Sequence, residues 1–101
     1  MNSERSFMQD GIATPLNGVR VFVAEDEPVL LMVLTDALEE FGCTLVGSAS
    51  HVSQALEFVD RNIFDVAILD GQLCDGVIDP VVDILLARGT PIVLASGIST
   101  E

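Results

Sequence analysis

Two short apolar runs, each closed by a carboxylate, limit what this chain can fold into more than any other feature. The first is Val19-Arg20-Val21-Phe22-Val23-Ala24, followed at once by Glu25-Asp26-Glu27. The second is Val66-Ala67-Ile68-Leu69, followed by Asp70. β-Branched runs of this length, each succeeded by a helical pattern, read as strands buried in a parallel sheet. Open parallel sheets bind ligands just beyond the carboxyl ends of their strands. Glu25, Asp26 and Asp70 are therefore expected to meet at one rim. Three carboxylates brought that close repel, raise one another's pKa values, or hold a hard cation. The pattern points to a site, and to phosphoryl chemistry.

Charge decides which partners such a site could serve. The 101 residues carry sixteen acids against four arginines and no lysine, a net charge of −12. Nucleic-acid binding needs a basic footprint to displace counterions from phosphates, and this chain has none. Anionic membrane surfaces are disfavoured for the same reason, whereas basic partners and divalent cations are favoured. The longest apolar run, Val29 to Leu34, is far below the ~20 residues of a membrane span. No apolar leader segment follows the first residues. Cys43 and Cys74 form no CxxC motif and read as free thiols of a reducing compartment. The lone His51 does not complete a zinc site with them. The expectation is a cytoplasmic protein with no nucleic-acid or membrane partner.

Length and hydropathy fit one folded unit over 19–101, preceded by a tail over 1–18. Strand one spans about 19–24. Pro28 suits the first turn of a helix, with Asp26 or Glu27 as its cap, and Gly42 stops that helix after Phe41. Thr44 to Ala49 reads as strand two. Ser50 is the expected cap of a second helix, in which Val52, Ala55, Leu56 and Val59 recur at helical spacing. Strand three covers 65–69. Gly71 and Gly76 bracket a loop, Pro80 opens a third helix ending near Arg88-Gly89, and Pro91 to Ala95 is strand four, leading to Ser96-Gly97. The alternation β-α-β-α-β-α-β predicts a doubly wound parallel sheet with right-handed crossovers.

An acidic pair after strand one, a lone Asp after strand three and a Ser after strand four make the pattern specific. Val21-Phe22-Val23-Ala24-Glu25-Asp26-Glu27, Asp65 to Asp70, Asp75-Gly76 and Pro91 to Gly97 together resemble the receiver domain of two-component response regulators. The resemblance covers about 18–99. It implies a flavodoxin-like fold with strand order 2-1-3-4, and Asp70 as acceptor of a phosphoryl group from a histidine kinase or histidine phosphotransfer protein. It further implies Mg²⁺ held directly by Asp26 and Asp70, through water by Glu25, and by the backbone carbonyl of Gln72. Ser96 would bond a phosphoryl oxygen and Gly97 would leave room above it. A signalling module rather than an enzyme follows.

The chain departs from that family pattern after strand four. The fifth β-α unit and its lysine have no counterpart, and no lysine elsewhere substitutes. The apolar residues of helix 28–41 cover more than one stripe, which with an incomplete C-terminal face implies a partner, a homodimer, or exchange of a strand or helix between chains. Two other classes compete with a phosphoacceptor. One is a docking or dimerisation module with the receiver fold and no phosphate switching. The other is an aspartyl-nucleophile phosphohydrolase, against which Asp70-Gly71-Gln72 lacks the second acid of Asp-x-Asp. A nucleotide fold is disfavoured because neither GxGxxG nor GxxxxGK[ST] occurs.

Overall fold

The computed structural model describes residues 16–95. From the amino end the elements are β1 (Arg20–Ala24), α1 (Pro28–Glu40), β2 (Thr44–Ala49), α2 (Val52–Arg61), β3 (Val66–Leu69), β4 (Gln72–Leu73), β5 (Gly76–Val77), α3 (Asp79–Arg88) and β6 (Ile92–Leu94). β1 pairs with β2 on one side and β3 on the other, and β6 lies beyond β3, every pairing parallel. The sheet order is thus β2-β1-β3-β6. This is the predicted doubly wound, flavodoxin-like receiver fold, with β6 as the expected fourth strand. The expected loop between Gly71 and Gly76 instead contains an antiparallel hairpin, with Gln72 opposite Val77 and Leu73 opposite Gly76.

Alternation along the central strands divides the core between two faces. Phe22 and Ala24 of β1, with Ala67 and Leu69 of β3, face one way and pack with Ala55 and Val59 of α2 and Val81 and Leu85 of α3. Val21 and Val23 face the other way with Cys43, and Leu31, Leu34 and Leu38 of α1 close over them. A close approach shapes the first face. Phe58 of α2 stacks on Phe22 with ring centroids 4.7 Å apart. Gly47 of β2 makes room for that ring, since a Cβ there would lie 2.4 Å from Phe58 Cε1.

Only one helix among the described residues covers the second face, and no residue of α1 is fully buried. Val29, Met32 and Val33 remain more than half exposed, as the several-sided apolar pattern of this helix predicts. Neither Asp26 nor Glu27 caps α1 with its side chain; Glu27 occupies the cap position and Pro28 the first turn. Gly42 follows the helix at φ +89°, where a glycine is favoured.

Polar latches tie the elements together at the edge opposite the strands' carboxyl ends. The Arg20 N–H donates to Asp65 Oδ2 at 2.7 Å, the Asp65 N–H returns to the Arg20 carbonyl at 2.9 Å, and the guanidinium pairs with the same carboxylate at 3.3 Å. These bonds hold the Asp65 pKa below the usual aspartate value, the backbone bond from Arg20 contributing most. The Arg88 guanidinium at the end of α3 donates to the carbonyls of Asn62 and Val59 at the end of α2. A cation there complements the negative end of the α2 dipole.

Candidate functional site

Ladder hydrogen bonds run one residue past the strands and fix the rim. The Glu25 N–H donates to the Ala49 carbonyl and the Asp70 N–H to the Ala24 carbonyl, both at 2.9 Å. The backbone of each acid is therefore set by the strand beside it. Glu25, Asp26 and Asp70 each offer a carboxylate oxygen, and these three oxygens lie within 4.8 Å of one another. Glu25 is the most enclosed, only 2 % exposed. Burial raises its pKa; the Glu27 N–H, donating to Glu25 Oε2 at 3.0 Å, partly offsets that, and the charges of Asp70 and Asp26 add to the rise.

The hairpin forms one wall of this acidic pocket. At its base the Gln72 N–H donates to Asp70 Oδ1 at 3.3 Å, and the Ile78 N–H to the Gly71 carbonyl at 3.1 Å. At its tip Cys74 and Asp75 make the turn, and the Cys74 thiol donates to Asp26 Oδ2 at 3.7 Å. Desolvation first, then the Asp26 charge, raises the Cys74 pKa, so the thiol stays protonated beside that acid. Asp75 reaches across to α2, where Oδ1 accepts from the Val52 N–H at 2.5 Å and Oδ2 from the Ser53 N–H at 3.2 Å. Those two bonds lower the Asp75 pKa, the one from Val52 more strongly.

Several expectations meet the structure here. Glu25, Asp26 and Asp70 come together at one rim. Gln72, named through the family resemblance for its carbonyl, meets Asp70 through its N–H. Ser96 lies outside the described residues. Ser50 does not cap α2, whose cap position is His51; its hydroxyl instead lies 2.9 Å from His51 Nδ1 and donates to Gln54 Oε1. The cap is Asp75, 23 residues away in sequence, and no local spacing rule could have found it. The Asp-Gly pair at 75–76 was the available signal, visible only as part of a turn. Cys74, read as a free thiol, touches the rim through Asp26.

The donor set fits a hard divalent cation. All three converging side chains offer oxygen, and the buried Glu25 carboxylate keeps no cationic side chain beside it among its hydrogen-bond partners in the described residues. Mg²⁺ takes one or two carboxylates, keeps several waters, and accepts carbonyl oxygen as well.

Fold and site define a class: a flavodoxin-like α/β domain with an acidic pocket at the carboxyl edge of its two central strands. Comparison with known proteins takes this further. The chain is similar to SdrG from Sphingomonas melonis Fr1, 36% identical with a TM-score of 0.72 over 83% of this chain and 75% of that one. The PhyR response regulator REC domain of Erythrobacter litoralis is 31% identical, with a TM-score of 0.68 over 78% of this chain and 63% of that one. The transcriptional regulatory protein PdtaR of Mycobacterium tuberculosis is 35% identical over 82 residues, 79% of this chain and 40% of PdtaR. The chain thus spans well under half the length of that curated relative. No protein-family model matches. The chain belongs to the receiver domains of response regulators.

Proposed function

We propose that this receiver accepts a phosphoryl group on Asp70 and so switches protein–protein contacts in a phosphorelay. The observation that carries the reading is the convergence of Glu25, Asp26 and Asp70 at the rim, with Asp70 on the central strand pair. Asp70 stands less enclosed than Glu25, half-buried and open to a donor. Its carboxylate oxygen attacks the phosphorus of a phosphohistidine on a histidine kinase or phosphotransfer protein. The P–O bond forms as the P–N bond breaks, and the leaving imidazole takes a proton.

Donor and acceptor are both anionic, and Mg²⁺, when bound, would offset that charge. Asp26 and Asp70 would hold it directly, Glu25 through water, and the Gln72 carbonyl would supply a further oxygen. The Ser96 hydroxyl would donate to a phosphoryl oxygen once Asp70 is modified. The receiver unit occupies 19–101, with 1–18 leading into it. It signals rather than catalyses a turnover of its own, and it works in the cytoplasm; no described helix is long and apolar enough to cross a membrane. The exposed Val29, Met32 and Val33 on α1 favour a second reading, a docking or dimerisation module with no phosphate switching.

Intact-mass analysis after incubation with acetyl phosphate and MgCl₂ separates the two. A single phosphoryl adduct, lost in Asp70→Asn and lost with chelator, is the expected result. A folded protein that takes no adduct would leave the docking reading.

A further inference from the structure

We propose that Asp75 is a positioning residue for the cation pocket, acting by bolting the β4–β5 hairpin to the amino end of α2. The inference rests on the cation reading above and on three contacts that bear on one element. Asp75 holds the hairpin tip through the Val52 and Ser53 N–H groups. The Cys74 N–H adds a longer bond to the Ser50 carbonyl, 3.4 Å, at the end of β2. The side chain of Leu73, 2 % exposed, anchors the middle of the hairpin in the core.

The two ends of this short hairpin meet different acids of the pocket. Its tip meets Asp26 through the Cys74 thiol, and its base meets Asp70 through the Gln72 N–H. A four-residue antiparallel pairing has little stability of its own and takes its position from what it is fastened to. Among the described residues the side chain that fastens the tip to α2 is Asp75, at shorter distances than the Cys74 N–H bond to Ser50. α2 has no other side-chain cap, so the same carboxylate fixes both partners. Asp75 touches neither a cation ligand nor a substrate; it sets where Gln72 and Cys74 stand relative to the carboxylates. Groups that orient metal ligands from behind change metal affinity by about 10–100-fold when removed.

The test is MgCl₂ titration of the full chain followed by ¹H–¹⁵N NMR at the Asp26, Asp70 and Gln72 amides, with melting temperature measured alongside. The variants are Asp75→Ala, Asp75→Asn and Arg88→Ala, the last loosening α2 at its opposite end. We expect Mg²⁺ affinity to fall about tenfold in Asp75→Ala and less in Asp75→Asn, which keeps one acceptor oxygen. Arg88→Ala should lower the melting temperature without changing Mg²⁺ affinity. A lower melting temperature with unchanged Mg²⁺ affinity in both Asp75 variants would overturn the inference, leaving Asp75 a helix cap alone. Should Asp75→Ala not fold, Asp75→Asn decides. A wild-type chain with no saturable shift at these amides would instead remove the cation reading on which the inference stands.

Discussion

Glu25 shows at a single residue what the pocket demands. Its carboxylate is out of water beside two other acids, and only the Glu27 N–H compensates. The folded chain therefore holds the Glu25 proton more tightly than the unfolded chain does. Stability from this group is present at low pH and lost as pH rises past the ordinary glutamate value of 4.5 and through the raised one. At neutral pH without a cation, ionisation of this group favours the unfolded chain. Glu25→Gln is expected to raise the melting temperature in chelator at pH 7 and to weaken Mg²⁺ binding by about tenfold or more. Differential scanning fluorimetry with and without Mg²⁺ reads both effects, and a lower melting temperature in chelator would contradict the electrostatic account. That Glu25, Asp26 and Asp70 would meet was legible from the strand ends alone. Which of the adjacent acids turns inward was not, because it depends on the backbone beyond Ala24, where the Glu27 N–H catches one carboxylate.

Elements of strong periodicity were legible, and those held by distant partners were not. β1, β2, β3 and the three helices follow from apolar spacing and from Pro28, Gly42, Pro80 and Gly89 at their ends. β4 and β5, two residues each, are too short to show any period. The Ser50 cap failed because the cap position falls one residue later, at His51, and the Asp75 carboxylate takes the helix N–H groups. The latch between the starts of β1 and β3 lends itself to a pH test. Asp65 has a lowered folded pKa, so its contribution is full above the unfolded aspartate value of 3.8 and is lost as pH falls through the lowered one. Asp65→Asn should melt below wild type at pH 7, with the gap closing in acid. A gap that stays constant down to the acid transition would mean that Asp65 acts through its shape rather than its charge.

At the scale of the molecule, charge is the dominant unspent term. Net charge of −12 on a chain this small destabilises the compact state through self-repulsion. Among the described residues the ion pairs are Arg20–Asp65 and Arg61–Glu57, both on exposed side chains that contribute little. Raising NaCl from about 0.02 to about 0.3 M, with no divalent ion present, is expected to stabilise the fold. The gain should be about 1 kcal/mol, or a rise of about 4–8 °C in melting temperature. Thermal melts across that range would show a fall instead if local ion pairs outweighed the general repulsion.

The central place of β1 has one more consequence, for the chain during synthesis. β1 is made before both of its neighbours, and Asp65, just ahead of β3, follows Arg20 by 45 residues. At ribosomal rates of about 5–20 residues per second, one edge of a largely apolar strand waits on the order of several seconds for its partner. Arg20 inside that run and Glu25-Asp26-Glu27 at its end are placed as charged gatekeepers against aggregation during the wait. The acids that crowd the finished pocket thus protect the nascent strand before any pocket exists.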